Sequence, residues 1–531
     1  MTLESASLQF ASPADGDPRL RGRIGGFVIL GIMLRLLRLG LDHPLWRDEA
    51  YLAANILERD YAGLARPLDY QQVCPVLFLW IEKAITVLFG FGTTPLRLIP
   101  TAASIGSLLL LRHVAGRLFG GRAALYAVAI LAVSYTPIRH GGEIKPYATD
   151  LLLALGLIAL TIGWLGDRER SGRLWALAIL APVAIAASNP AIFVAAAAWM
   201  TLVGPVLGQR SARTALPLAA AGVAIGATFL ALQVAVNVPQ GESVMGWMKV
   251  YWAGSFPPHR AWPLLIWLAR VHTGYGFGYP AGGDFGASTL TTALVLVGVA
   301  AMARRGSRAV LTLLLLPFAL GLAAATAGRY PYGGSARIMQ YLAPSIILLE
   351  GLGLAVLLAR ACRPRRRERA SALILGGLAV IGVGQAGWDL AMPFKARSDQ
   401  ESRDFARRFW ASESRGCRLL CARTALKLPL DPLTWRGDRA AIYLCHQAIF
   451  RPHAARAAPN VGGDRRPLRV VVFNETSTDA AVVRRWIDGQ ADHLRLRSRV
   501  ERCLNCGKWR GKASLEERYV VYELASIIPS G

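Results

Sequence analysis

Residues 24–51 read IGGFVILGIMLRLLRLGLDHPLWRDEAY, and this stretch decides how the rest of the chain is read. It opens with an apolar run of about the 20 residues that a helix needs to cross a hydrocarbon core roughly 30 Å thick. The run carries Arg35 and Arg38 near its far end and leads through a polar turn to two adjacent carboxylates, Asp48 and Glu49. No small-residue cleavage site follows it, so it reads as an uncleaved signal anchor behind a polar, disordered cytosolic segment at 1–23.

Working outward, the same block pattern recurs at 151–165, 214–236, 290–302, 310–327 and 371–384. The whole chain of 531 residues is 53% hydrophobic with a mean hydropathy of +0.36. Its apolar residues come in spanning blocks and not in the alternation of a soluble core, which excludes an ordinary globular protein. The net charge of +26 and pI near 10.5 suggest a nucleic-acid partner until the arginines are located. They sit in short connectors: Arg19, Arg21 and Arg23; Arg112, Arg117 and Arg122; Arg168, Arg170 and Arg173; Arg210 and Arg213; Arg304, Arg305 and Arg308; and 363–369. One serpentine path puts all six groups on the cytosolic side, as the positive-inside rule requires. The basicity is mostly topology, and nucleic acid is excluded as a partner.

With the N-terminus in the cytosol, the expected fold is an all-α polytopic membrane bundle of about eleven spans with a small extracytoplasmic α/β domain at its C-terminus. The spans are 24–41, 96–118, 123–137, 146–166, 174–192, 193–207, 214–236, 288–303, 308–327, 338–361 and 371–388. Outer loops fall at 42–95 and 237–287, and the membrane domain covers 24–394. The run 75–90 holds Glu82 and Lys83 at its middle, so it reads as an amphipathic helix on the outer interface. The tail at 395–531 is charged and turn-rich, with strands expected at 468–473 and 519–524 and a helix at 479–490. Cys417, Cys421, Cys445, Cys503 and Cys506 lie in this tail, where disulfides on an oxidising face are favoured over a zinc site.

Ionisable groups at membrane depth cost about 2.5–3.5 kcal/mol each at a helix centre, which makes them functional candidates. Three outer-face clusters stand out. In Trp46-Arg47-Asp48-Glu49 the carboxylates point about 100° apart on a helix, so one of them faces a given reaction centre; two acids complementing a helix N-terminus is the competing structural account. In Gly141-Gly142-Glu143-Ile144-Lys145-Pro146-Tyr147, Pro146 favours an extended Lys145, which sends Glu143 and Lys145 to one side beside a helix start suited to phosphate. The third is Arg329 to Arg337, where Arg337 and Tyr341, four apart, share a helix face. Arg35 and Arg38 join these as cations near the outer end of the first span, with snorkelling as their alternative role. The second outer loop is rich in aromatics, among them Trp247, Tyr251, Trp252, Trp262, Tyr275, Phe277 and Tyr279, which read as interfacial belt residues with some lining an acceptor groove.

These residues, in this order, resemble the GT-C-fold glycosyltransferases, especially the branch of protein O-mannosyltransferases and the lipid A aminoarabinose transferase. The acidic signature after helix one is similar to Trp46-Arg47-Asp48-Glu49-Ala50-Tyr51, and the interfacial helix to 75–90. The Arg-Leu helix that follows resembles Leu96-Arg97-Leu98 through Arg117-Leu118-Phe119-Gly120. The second acidic loop, Glu-x-Arg-x-Tyr, resembles Glu143, Lys145 and Tyr147, with lysine replacing arginine and so losing the bidentate fork. The likeness covers 20–165, thins through the middle helices and returns around 337–349. It implies a multi-pass protein of the plasma (inner) membrane that transfers a hexose or pentose from a polyprenyl-phosphate donor, with inversion, to a protein, lipid or glycan acceptor outside the cytosol. The resemblance implies Asp48 as general base, with Glu49 beside it, and Glu143 as the residue that orients the acceptor. Lys145, Arg337, Arg35, Arg38 and Tyr147 fall to the donor phosphate, and Trp252, Tyr275 and Tyr341 to acceptor or sugar. Metal dependence stays open, because no cluster has clear ligand spacing. The rival reading is a transporter or flippase of a lipid-linked sugar or polymer, which would place its ionisable residues near mid-membrane on broken helices and not at outer helix ends.

Overall fold

A computed structural model describes residues 17–242, 244–284, 286–391, 403, 407, 418–421, 467–473, 475, 477–489, 491–503 and 518–527. Of the segment 1–23 expected to be disordered, residues 1–16 lie outside them, as do Cys417, Cys445 and Cys506, whereas 18–23 are helical, because Asp17 caps and Pro18 starts a helix there. Compactness divides the chain into two units, one of 1–42, 59–84 and 97–391, the other of 43–58, 85–96 and 392–531.

In the first unit the apolar blocks fold as helices, the one open structure that satisfies every backbone N–H and C=O within a segment. α1 is Pro18–Gly40, with the Asp17 carboxylate capping its start. In the second unit α2 is Arg47–Glu58. After a short turn of helix, α3 (Tyr61–Leu64), comes α4, Val76–Phe89, the expected interfacial helix. The bundle continues with α5 (Leu98–Leu118), α6 (Gly121–Val133), α7 (Tyr135–Gly141), α8 (Tyr147–Gly166), α9 (Gly172–Ala187), α10 (Ala191–Gln209) and α11 (Ala212–Leu232). The second outer loop holds α12 (Val238–Glu242), α13 (Met245–Tyr251) and α14 (Ala261–Thr273). Then follow α15 (Thr289–Arg304), α16 (Arg308–Thr326), a 3₁₀ turn at Ala336–Leu342, α17 (Ala343–Ala361) and α18 (Pro364–Ala391).

Seven described helices are long and apolar enough to cross a membrane, and α6 with α7, bent by 51°, make an eighth. α9 and α15 are apolar but shorter. Seven or eight of the expected eleven spans are thus met by length and composition among the described residues; the other three fall on α1, α9 and α15. Apolar side chains such as Ile179, Leu216, Val223, Leu290 and Leu373 point outward, as a lipid-facing surface demands. α6 has no such face, because every residue from Ala123 to Val133 is buried. α15 and α17 pack backbone to backbone: a Cβ at Gly353 would lie 1.9 Å from the Leu294 carbonyl oxygen, and one at Gly298 2.1 Å from that of Leu349. Small residues permit this approach, which drives helix association in lipid.

Two expected boundaries are corrected. The third span does not stop at Pro137. It bends at Ser134 and continues through α7 to Gly141, because Pro137 falls in the first turn of the new helix, where its missing N–H is not needed. The expected break at 192/193 lies instead at Ser188–Pro190, where Pro190 disfavours helical Asn189.

In the second unit a four-stranded sheet runs β1 (Arg418–Cys421), β2 (Leu468–Phe473), β4 (Arg518–Ser526), β3 (Leu494–Cys503), with β1 and β2 parallel and the other pairs antiparallel. α19, Ser477–Asp488, accompanies it, and Val483 packs with Leu468, Val470, Val472, Tyr522 and Leu524. β2, β4 and α19 match the expected strands and helix, whereas β1 and β3 were not anticipated. Cys421 and Cys503 close strands at opposite edges of this sheet.

Candidate active site

The site is built on the turn 142–146 that joins α7 to α8. Gly142 lies under α1, where a Cβ would come within 2.9 Å of Arg38 Cγ. Thr101 Oγ1 donates to the Gly141 carbonyl at 2.9 Å and ties the turn to α5. The Lys145 N–H closes on the Glu143 carbonyl at 2.8 Å, so the segment is a tight bend and not the extended run expected. The two side chains accordingly go to different partners. Glu143 accepts from Arg139 Nε at 2.8 Å and meets His140 Nδ1 at 2.7 Å, while Lys145 Nζ donates to Gln72 Oε1 at 2.8 Å. Both are buried. Burial alone would raise the Glu143 pKa, but His140 and Arg139, with Arg38 behind them, overcome it and hold the carboxylate well below its usual range. Tyr147 packs edge-on against His140 with ring centroids 5.0 Å apart.

Gln72 is positioned by the first outer loop. Cys74 N–H donates to Gln240 Oε1, and Gln240 Nε2 donates to the Arg66 carbonyl, so the second outer loop pins the first. Burial pushes the Cys74 thiol up against the lowering effect of the nearby Lys145 ammonium.

Arg337 arrives on the 3₁₀ turn, which packs on both α7 and α8 and brings it within electrostatic range of His140. Its guanidinium lies 5.1 Å over the Trp252 ring and donates to the Tyr251 hydroxyl at 3.3 Å. The loop before it is clamped to the second outer loop: Tyr332 N–H donates to the Ser255 carbonyl at 2.8 Å, and its hydroxyl meets His272 Nε2 at 3.0 Å. Three residues per turn put Tyr341 off the Arg337 face, contrary to the expected helical pairing. Tyr341 is instead 1% exposed and packs against Phe193 and Tyr330.

The first-span arginines are packing residues. Arg35 donates to Ser104 Oγ at 2.8 Å and to the carbonyls of Gly31, Ala132 and Leu131, which engages its guanidinium within the bundle. Arg38 pairs with Asp389 at 2.6 Å, locking the end of α18 to that of α1. Tyr275 is 47% exposed on the second outer loop, whereas Phe277 and Tyr279, read as belt residues, are core. Gln340 donates to the Tyr279 hydroxyl at 3.1 Å, which anchors that loop.

Asp48 and Glu49 belong to the second unit. Glu49 Oε2 accepts from Trp46 N–H at 3.1 Å, the reach-back of a capping box at the start of α2, so it serves the helix. Asp48 lies half-buried in the same turn. Arg139, His140 and Gln72 were missed from sequence. The four-residue spacing of Arg139 and Glu143 was the available signal, hidden by ending the helix at Pro137. Among the described residues no group of three or more His, Cys, Asp or Glu side chains is arranged to hold a metal ion.

The model of the dolichyl-phosphate-mannose-protein mannosyltransferase family matches residues 73–232, which include Glu143 and Lys145 but not Asp48. No curated protein matches the chain by sequence. Among solved structures, ArnT from Cupriavidus metallidurans bound to undecaprenyl phosphate is 14% identical over 94% of this chain and 98% of that one, with a TM-score of 0.53. ArnT from the same organism in the apo state is 16% identical over the same shares, with a TM-score of 0.52. The chain has the GT-C fold of membrane glycosyltransferases, with many apolar spans and a small C-terminal sheet domain.

Proposed function

We propose that the chain is an inverting glycosyltransferase that moves a sugar from a polyprenyl-phosphate donor to an acceptor hydroxyl on the extracytoplasmic membrane face. The observation that supports this reading is that Lys145 lies in the turn that carries Glu143, while Arg337 comes within electrostatic range of His140, the partner of Glu143. A solved protein of this fold is described as bound to undecaprenyl phosphate, which supports the donor class.

In the proposed reaction Asp48 takes the proton of the acceptor hydroxyl as that oxygen attacks the anomeric carbon from the face opposite the phosphate. The bond from anomeric carbon to phosphate oxygen breaks, and its electron pair leaves with the lipid phosphate. Lys145 and Arg337 stabilise the charge that develops there, and charge-assisted contacts of this kind contribute about 1.5–3 kcal/mol each. Glu143, held by Arg139 and His140, orients the acceptor. A single in-line displacement of this kind inverts the anomeric centre. The C-terminal domain stands on the same, extracytoplasmic side.

The test is to incubate the purified protein with a panel of polyprenyl-phosphate hexoses and pentoses and score release of the free lipid phosphate. Release by the wild type and loss of roughly 10³-fold or more in Asp48→Asn, with folding intact, is the expected outcome. Translocation of the donor across a bilayer with no release would instead identify a flippase.

A further inference from the structure

One turn below the turn 142–146, the bundle holds a set of polar groups that the mechanism above does not use. Asp150, in the first turn of α8, is 3% exposed and its Oδ1 has no hydrogen-bond partner. Ser188, in the break between α9 and α10, is fully buried and faces that carboxylate closely enough to interact with it, without a well-formed hydrogen bond. Tyr341 has its hydroxyl buried and unpartnered, within electrostatic range of Asp150. A buried polar group left unpaired costs about 1–3 kcal/mol, so three together in an apolar bundle need an occupant that answers them.

The chemistry of the set limits that occupant. A carboxylate accepts, and two hydroxyls both donate and accept, which suits vicinal hydroxyls of a polyol better than an anion or an apolar chain. The walls add flat apolar surface: Phe193 lies 5.6 Å from both the Tyr330 and the Tyr341 rings, and those two are 6.2 Å apart. Lys145 and Asp150 both lie within electrostatic range of Cys74, which puts the set in the neighbourhood of the cation assigned to the donor phosphate. A sugar joined to a phosphate requires this neighbourhood of a cation and a hydroxyl-binding carboxylate.

We propose that Asp150, Ser188 and Tyr341 form the subsite for the donor's sugar ring, with Asp150 accepting from ring hydroxyls and Tyr330 and Phe193 flanking its carbon face. This deepens the transferase reading and rests on it. Asp150 is then the residue through which the protein senses whether the lipid phosphate carries a sugar.

The experiment uses the full chain in lipid nanodiscs and two probes, bare undecaprenyl phosphate and the undecaprenyl-phosphate sugar that the wild type turns over. Asp150→Asn is expected to weaken the sugar-bearing donor by roughly ten-fold or more, as a lost hydroxyl contact does, while affinity for the bare lipid phosphate changes by less than about two-fold. Equal weakening of both probes, or of neither, overturns the subsite. If Asp150→Asn does not fold, Tyr341→Phe carries the same comparison, with roughly a three-fold or larger selective loss expected; no selective loss overturns the proposal. Failure of the wild type to release lipid phosphate from any donor overturns the transferase reading and the subsite with it. Absence of a selective loss, with normal wild-type release, removes the subsite alone.

Discussion

Arg35 and Asp150 are buried to nearly the same degree, 1% and 3% exposed, in the same helical unit, and they are finished in opposite ways. Arg35 has a hydroxyl and three backbone carbonyls around its guanidinium, drawn from α1, α5 and α6. Asp150 leaves one carboxylate oxygen without a hydrogen bond, as do the Ser188 and Tyr341 hydroxyls near it. A buried charge whose partners are complete braces the fold, and one whose partners are incomplete is shaped for something that enters. Burial alone therefore does not sort functional from structural charges in a membrane bundle. The partner shell does.

Three measurements press on that contrast. The largest effect is expected from Arg35→Ala, which removes four hydrogen bonds and leaves a gap between three helices; it should cost about 3 kcal/mol or more of stability, read as a lowered Tm in detergent. The folded fraction should retain wild-type preference among donors, and a normal Tm with weakened donor binding would reclassify Arg35 as a ligand. Next is Lys145→Ala, expected to lower kcat/KM for the phosphate-linked donor by roughly 10²-fold with little change in Tm. Unchanged kinetics would remove Lys145 from the phosphate. The smallest effect is on acid stability. Glu143 is held below its unfolded pKa, so its pairing stabilises the fold fully above about pH 4.5 and is lost as pH falls through the lower folded value. A wild-type Tm that declines below about pH 4.5, against a flatter profile in Glu143→Gln, is the expected result, worth about 1–2 kcal/mol. Identical profiles would show that Arg139 and His140 do not hold the carboxylate.

The helical bundle with its many apolar spans was legible because apolar runs of spanning length are set by composition alone. Glu143, Lys145 and Arg337 were legible as charges at the outer ends of those runs. Their partners were not. Arg139 became visible once the helix was seen to pass through Pro137, and Gln72 is 73 residues from the Lys145 it holds. The role of Arg35 was misread for a related reason: its carbonyl partners on α6 have no signature in sequence, since any residue supplies a backbone oxygen. Asp150 escaped attention because it sits inside an apolar block at a helix start, where a single acid is unremarkable until its neighbours are known. In the tail, the alternation in Leu494-Arg495-Leu496-Arg497 was the available sign of β3, masked by its arginines.

The glycine contacts between α15 and α17 bear on the rim as well as the interior. With their backbones touching, α17 has no slack to slide or roll, and the 3₁₀ turn that continues it toward the rim starts from a fixed post. Arg337 stands roughly 25 Å along that post from Gly353, at about 1.5–2 Å of rise per residue. Its side chain is steadied from above by Trp252 and Tyr251, so the mount is stiff at both ends. A cation held this way loses little freedom when an anion docks, a saving of about 0.5–1.5 kcal/mol for one long side chain that the proposed role of Arg337 would use. Two glycines facing each other's helices, Gly298 on α15 and Gly353 midway along α17, thus help fix where the turn carrying Arg337 begins.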